Sequence, residues 1–196
     1  NLYEAVSKTR AASLARGFRQ TKERVAANIY NRAFNSSYVG GDGVALCSTA
    51  HINTSGGTWS NKLAVDADLS EAALEDITIQ IMQAQDDRGL LINLMPKSLH
   101  IAPANWYNAN RILKSVYQTG TANNDINVIK ATNALPMGIK LNHYFTSPQA
   151  WFIRTNVQNG MKYFEREGIS FTQDNDFDTK NAKAMAYERY SFGWTD

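Results

Sequence analysis

Residues 14–34 read LARGFRQTKERVAANIYNRAF, and their spacing predicts the longest element of the chain. Leu14, Phe18, Val25, Ile29 and Ala33 follow steps of three and four residues, apart from one gap, so they share one face of a helix. The pattern extends back to the first residue, and no proline interrupts residues 1–34. A helix of that length spans about 50 Å at about 1.5 Å per residue, which exceeds the diameter of a small domain.

The excess of basic over acidic residues is concentrated on this predicted helix. Residues 1–34 hold seven basic and two acidic residues, whereas the other residues hold 13 basic and 16 acidic ones. The simplest interpretation is a solvated helix face, and the sharper one is a face that meets nucleic acid or an acidic neighbour. The candidate residues for such a contact are Arg10, Arg16, Arg19, Lys22 and Arg24.

The residues after this helix have patterns that predict an α+β fold. Residues 35–43 and 51–62 are typical of turns and loops, and residues 44–47 of a short strand. Further helices are expected at 68–85, where Asp68 and Glu71 suggest a capping box and Gly89 a C-terminal cap, and at 103–116, anchored by Trp106, Ile112 and Leu113. Strands are expected at 90–94, 99–102, 139–145, 150–154, 161–166 and 185–194. Asn159-Gly160 predicts a hairpin between two of them, and 173–181 an acidic loop.

Composition bounds the class of protein. The chain has 196 residues, a formal charge of +2 and 43% hydrophobic residues, so it can bury a sizeable core. No apolar run reaches the roughly 18 residues that a membrane-spanning helix needs. With a single cysteine, the chain cannot form an internal disulfide or a multi-thiolate metal cluster.

Familiar catalytic and metal-binding patterns are incomplete in this sequence. Cys47 and His51 lie four residues apart and could form a nucleophile and base, but no orienting carboxylate is evident and an inert buried cysteine is the simpler interpretation. Asp174, Asp176 and Asp178 imitate the start of a calcium loop without its glycine and final glutamate, which leaves weak cation binding open. We therefore expect no enzymatic activity and no cofactor or metal.

An ordered set of segments resembles the major capsid proteins of Mu-like tailed bacteriophages. The matching segments run in order along nearly the whole chain. They are RQTKE (19–23), AANIYNRAF (26–34), GGDGVALCSTAH (40–51), DLSEAALE (68–75), DDRG (86–89), RILKS (111–115), NDIN (124–127), NHY (142–144), AWFI (150–153) and ERYSFGW (188–194).

The resemblance implies the Hong Kong ninety-seven type capsid fold, in which a long spine helix and a β-sheet form a peripheral domain beside an axial α/β domain. Carried onto this chain, residues 1–67 form the first part of the peripheral domain, 68–145 the axial domain and 146–196 the β-rich second part. Relatives carry an N-terminal arm and an extended loop before the spine helix. Neither is evident here, so we expect the chain to be part of a longer subunit.

The function that the resemblance implies is structural. Copies of the chain would form pentamers and hexamers of an icosahedral head around double-stranded DNA, with no membrane involved. Scaffold, portal and decoration proteins are further implied partners, and the implied location is the virion after assembly in the host cytoplasm. The alternatives are a nucleic-acid-binding module that uses the basic helix, a small hydrolase that uses Cys47 and His51, and an encapsulin-like cargo shell.

Overall fold

The computed structural model describes residues 2–118, 120–122, 125–175, 178 and 182–195, and it has the expected α+β character. A long first helix is followed by a mixed middle and two long final strands. The elements are α1 Leu2–Asn31, β1 His51–Ile52, β2 Thr58–Trp59, α2 Glu71–Met82, β3 Pro96–Ile101, a 3₁₀ turn Pro103–Asn105, α3 Trp106–Lys114, α4 Val128–Ala131, β4 Ile139–Leu141, β5 Trp151–Thr155, β6 Met161–Asn175 and β7 Ala182–Trp194.

A three-stranded sheet in the order β4-β3-β5 organises the hydrophobic core. The central strand β3 runs parallel to β4 and antiparallel to β5. Leu99 and Ile101 of β3 are completely buried, and burying one such side chain contributes about 1.5–3 kcal/mol. The core cluster draws its buried residues from the middle of the chain: Leu69, Leu74, Leu99, Ile101, Ala109, Ile112, Ile129 and Leu135.

The three-stranded sheet and the helices α2, α3 and α4 that share its core form the body of the molecule. The helices of this body begin and end differently from the sequence prediction. The N-cap of α2 is Ser70, whose side chain accepts a hydrogen bond from the backbone N–H of Ala73 at 3.2 Å, so the predicted Asp68–Glu71 capping box is wrong. The helix already ends at Met82, and Gly89, with φ of 82°, closes a separate turn. In α3, Ile112 is a core residue as predicted, but Trp106 is 37% exposed and Ala109 takes the second buried position.

Asn127 is a buried polar residue that holds the segment after α3 in place. Its side-chain amide donates to the backbone oxygen of Ile112 at 2.5 Å and to the hydroxyl of Ser115 at 3.0 Å. Its side-chain oxygen accepts from the backbone N–H of Lys130 at 3.1 Å, which caps α4. Because its polar atoms have partners, burial does not leave an unpaired donor or acceptor there.

Several predicted strands are shorter or different. Residues 44–47 contribute only an isolated bridge between Val39 and Ala45, and residues 90–94 only one between Gln85 and Leu91. The strand predicted over 139–145 ends at Leu141, whereas the loop predicted over 51–62 contains the small antiparallel pair β1–β2.

The hairpin predicted at Asn159-Gly160 is wrong. β5 pairs with β3 in the three-stranded sheet, whereas β6 pairs with β7 in a separate two-stranded ribbon. Asn159 has the positive φ, 62°, that a turn requires, but this turn carries the chain from one sheet to the other. The ribbon strands have 15 and 13 residues, and most of the predicted acidic loop between them lies outside the described residues.

Candidate assembly surfaces

The C-terminal end of α1 is fixed to the body by an aromatic cluster. The ring of Tyr30 lies 5.5 Å from His100 of β3, 5.2 Å from Phe145 and 5.0 Å from Phe152 of β5, measured between ring centroids. The side chain of Asn31 adds two hydrogen bonds, donating to the backbone oxygen of Tyr144 and accepting from the backbone N–H of Thr146. The C-terminal end of the long helix therefore packs against β3 and β5.

Burial in this cluster changes the acid–base properties of His100. Its pKa is lowered to about 4, first because burial disfavours the charged ring and then because Arg154 and Lys140 carry positive charge nearby. The Nε2 atom of His100 lies 3.0 Å from the hydroxyl oxygen of Ser98. The imidazole is consequently neutral at pH 7.

Farther along α1, Lys22 fastens the helix to the β6–β7 ribbon. Its Nζ lies 2.8 Å from a carboxylate oxygen of Glu188, whose side chain is only 4% exposed. The same ammonium group lies 5.6 Å and 5.2 Å from the ring centroids of Tyr163 and Tyr190, within the range of a cation–π contact. The hydrogen bond to Glu188 is the main reason why the pKa of Lys22 rises to about 12.

The structure thus separates the five candidate basic residues into two groups. Lys22 is engaged within the chain, whereas Arg10, Arg16, Arg19 and Arg24 are exposed. The ion pairs Lys22–Glu188, His51–Asp42 and Lys62–Asp66 link described residues. None of them involves the four exposed arginines, so these remain available to a partner.

The β6–β7 ribbon is a second extended surface. Phe171 pairs with Ala186, and Thr172 pairs with Met185 in the next position of the register. Because consecutive strand residues point to opposite faces, Phe171 and Met185 lie on opposite sides of the ribbon. Phe171 is 45% exposed and Met185 is 62% exposed, so both faces present apolar side chains. An isolated two-stranded ribbon is marginal in water, which indicates that this one is stabilised by further contacts.

Cys47 and His51 do not form the nucleophile–base pair considered above. Nδ1 of His51 lies 2.6 Å from a carboxylate oxygen of Asp42, and the His51 ring stacks on Trp59 at 4.6 Å. Burial raises the pKa of the Cys47 thiol to about 12, so a reactive thiolate is not favoured at neutral pH. The sequence-based expectation that no carboxylate orients His51 is wrong, because the 40–43 turn folds Asp42 back onto it.

The other candidate from the sequence was the incomplete calcium-loop pattern of Asp174, Asp176 and Asp178. Asp174 lies at the end of β6 and Asp178 in the connection beyond it, while Asp176 lies outside the described residues. Within the described part of the chain, no group of three or more histidine, cysteine, aspartate or glutamate side chains is arranged to hold a metal ion. The same part contains no helix that is both long and apolar enough to cross a membrane.

Sequence reasoning missed the residues that connect the elements. Tyr30 and Glu188 each join α1 to a different sheet, and Asp42 holds His51. The position of Glu188 was partly detectable in the sequence, because it alternates with Tyr190 and Phe192 and so shares one face of β7 with them. Lys22 contacts this face. Glu188 and Phe152 lie more than 100 residues from their partners Lys22 and Tyr30 and could not be matched from spacing, whereas Asp42 lies nine residues from His51 and meets it through the fold of the 40–43 turn.

Two long elements, α1 and the β6–β7 ribbon, extend from the α+β body, and we call them the extensions. Extensions with this much exposed apolar surface are typical of a subunit that contacts its neighbours over large areas. Comparison with known families agrees with this class. The model of a family described as phage capsid protein matches residues 3–196. The chain therefore belongs to the phage capsid protein family and is a structural capsid protein. No curated protein and no solved structure matches the chain.

Proposed function

We propose that this protein is the major capsid protein of a Mu-like tailed bacteriophage, and that its copies form an icosahedral head around double-stranded DNA. The observation that carries the proposal is the family match over residues 3–196, which leaves almost no residue unaccounted for. The ordered segment resemblance favours the Hong Kong ninety-seven type of fold, with α1 as the spine helix. Residues 1–67 and 146–196 would form the peripheral domain and residues 68–145 the axial domain.

In this proposal the protein functions through its contacts with neighbouring subunits, without enzymatic activity or a cofactor. A closed shell needs each subunit to bury the same patches against neighbours, in head-to-tail contacts around the five- and six-fold axes. The body supplies a stable core, and α1 and the β6–β7 ribbon supply long surfaces on which such contacts can form. Scaffold, portal and decoration proteins are partners of the assembled shell in the same proposal.

The role proposed for DNA is sequence-independent. Exposed arginines attract phosphate groups without reading bases, and such attraction weakens as salt concentration rises. The four exposed arginines of α1 have the charge and accessibility that this contact needs if α1 faces the lumen. Their other partner would be an acidic surface of a neighbouring subunit.

Electron microscopy of the purified protein tests the shell directly. The expected result is closed particles of uniform size, and particles recovered from infected cells should hold nuclease-protected double-stranded DNA. Monomeric protein that binds DNA in a salt-dependent gel shift would instead support the nucleic-acid-binding module. Shells that contain enzyme cargo in place of DNA would support the encapsulin-like compartment.

A further inference from the structure

The outer face of α2 combines negative charge with uncovered apolar side chains. Glu75, Ile79 and Met82 follow steps of four and three residues and are all exposed, so they share one face of the helix. This face lies opposite the buried Ile77, and its Ile79 and Met82 are 49% and 42% exposed. The surrounding residues 66–87 contain seven acidic residues and no lysine, arginine or histidine.

The outer face of α3 carries the opposite charge beside an exposed aromatic ring. Tyr107, Arg111 and Lys114 also follow steps of four and three residues and are exposed, so they share the face that points away from the buried Ile112. Tyr107 is 80% exposed. The surrounding residues 88–124 contain four lysine and arginine residues and no aspartate or glutamate. The two outer faces therefore have similar layouts and opposite charge.

One molecule cannot bring these two faces together. Leu74 of α2 and Ile112 of α3 belong to the same core cluster, which holds both helices with their outer faces turned away from it. None of the ion pairs that link described residues involves Glu75, Arg111 or Lys114. Complementary patches at two different places on one molecule are matched by contact between copies. A second copy of the chain is therefore the partner that the charges favour.

We propose that the outer face of α2 in one copy docks against the outer face of α3 in a neighbouring copy, with the two helices antiparallel. Glu75 and Ile79 are about 6 Å apart along α2, and Arg111 and Tyr107 have the same spacing along α3. In the antiparallel arrangement Arg111 meets Glu75, and Tyr107 packs against Ile79. A parallel arrangement would instead bring Lys114 against Ile79, so the antiparallel one matches charge with charge and apolar area with apolar area.

The apolar and charged parts of the contact have different roles. Removal of apolar area from water supplies favourable free energy, and tyrosine is a common anchor of protein interfaces. Opposite charges orient the two copies and disfavour wrong pairings. The inference rests on the proposed function, because it assigns a neighbour to one surface of the assembling subunit. It adds a contact on the body to those proposed for the extensions.

The acidic face of α2 is what favours a protein partner over DNA. Carboxylates repel phosphate groups, so DNA cannot cover this face. Double-stranded DNA could engage Arg111 and Lys114 of α3 through its phosphates, but the face of α2 would then have no partner. A second copy covers both faces at once. DNA therefore enters the experiment as a competing outcome.

Charge exchange tests the charged part of the contact. The variants are Glu75→Arg, Arg111→Glu and the exchanged pair Glu75→Arg/Arg111→Glu. The matched control is Lys140→Glu, which reverses an exposed charge beside His100, on the side of the sheet that Tyr30 of α1 contacts. Circular dichroism confirms that each variant is folded. Particle yield is then measured by electron microscopy, and self-association by sedimentation velocity, at low and high salt.

The apolar part is tested separately with Tyr107→Ser. This ring is 80% exposed, so its removal should leave the fold of the single chain intact. The matched control is Val65→Ser, which removes an apolar side chain that is 79% exposed and lies outside both helices. The same two measurements are made on both variants.

We expect Glu75→Arg and Arg111→Glu each to lower the particle yield about tenfold at low salt and less at high salt, where charges are screened. The exchanged pair should recover most of the yield. Tyr107→Ser should lower the yield about fivefold at either salt concentration, because its effect does not depend on charge. Both controls should assemble normally.

Normal assembly of any of the three single variants, or a folded exchanged pair without recovery, would overturn the contact. A loss in Lys140→Glu equal to that in Arg111→Glu would mean that yield follows net charge, which would also overturn it. Normal particles with reduced DNA content in Arg111→Glu would assign this arginine to DNA instead.

The two proposals fail in different ways. If the unmodified protein forms no shells but self-associates with the same loss and recovery, the shell proposal falls and the α2–α3 contact stands. If shells form without any loss or recovery among the variants, the contact falls and the shell proposal stands. Protein that remains monomeric at low salt under all conditions would overturn both.

Discussion

The body built on the three-stranded sheet and the two extensions differ in what holds them together. In the body, Leu99 and Ile101 are fully buried and a continuous apolar cluster joins β3 to α2, α3 and α4. In the extensions, α1 has no buried side chain among those described between residues 6 and 26, and the ribbon exposes apolar side chains on both faces. The body is therefore held by a continuous core, whereas the extensions are joined by contacts such as Lys22–Glu188 and leave apolar side chains exposed.

This contrast indicates that the body provides most of the folding stability and that the extensions provide surface for assembly. Burial of apolar area fixes one structure for the body, because a core at native packing density tolerates few alternatives. Elements left without such burial keep surface for neighbours at the cost of their own stability in the monomer. Substitutions in the body should thus change unfolding, and substitutions in the extensions should change local opening and association.

The largest effect is expected from Leu99→Ala. This side chain is fully buried in the central strand, so its truncation removes buried area and leaves a cavity. The free energy of unfolding should fall by about 3 kcal/mol and the thermal midpoint by about 6–12 °C. The matched control is Leu91→Ala, at a leucine that is 68% exposed, where the change should stay within about 0.5 kcal/mol. Similar losses at both positions, measured by urea unfolding, would contradict the assignment of the core.

A smaller effect is expected from acidification at the junction between body and α1. The pKa of His100 falls from its ordinary 6.5 to about 4 in the folded protein, so the unfolded chain binds more protons in that interval. The stability that neutral His100 contributes is complete above pH 6.5 and is lost as the pH falls toward 4. His100→Gln should show a weaker loss of stability between pH 7 and pH 4.5 than the unmodified protein.

The control for this pH dependence is His143→Gln, at an exposed histidine outside the cluster. Its urea midpoint should follow the unmodified protein at every pH. If His100→Gln and the unmodified protein have parallel pH profiles, the aromatic cluster does not keep His100 neutral. The junction between α1 and the sheet would then be more open to water than its ring contacts indicate.

The smallest effect on global unfolding is expected from Lys22→Met. The substitution removes the ion pair to Glu188 and leaves that carboxylate, only 4% exposed, without its cation. Backbone amides of β7 near Glu188 should exchange with solvent measurably faster, while the core strand β3 keeps its protection. Arg24→Met removes an exposed charge from the same helix and should leave β7 exchange unchanged. Equal acceleration in β3 and β7 would mean that ribbon and body open as one unit.

Several helices and one strand were predictable because their signals are local. The long α1, the helix around Leu74 and Ile77, the helix around Ile112 and the strand at 151–155 all follow from hydrophobic periods of 3.6 or 2 residues. Element ends were less predictable, since capping depends on one side chain. The N-cap of α2 is Ser70, whereas the sequence had suggested Asp68.

The pairing of strands was not predictable from local signals. Asn159-Gly160 carries a genuine turn signal, but a turn does not specify whether the following strand folds back or enters another sheet. The 15-residue β6 pairs with β7 across a connection, and that register is set by cross-strand contacts such as those of Tyr163 with Phe192. Such contacts exist only once the chain has folded.

The sequence by itself determined the α+β class, the long basic helix and the absence of a complete catalytic pattern, because these depend on composition and on spacing within one element. The tertiary structure decided which of the basic residues remain exposed, that Asp42 pairs with His51, and that α1 is fastened at Tyr30 and Lys22. The contacts at Tyr30 and Lys22 join residues distant in the chain, and the Asp42–His51 pair depends on how the turn before it folds. Burial and charge pairing select them only when the elements meet.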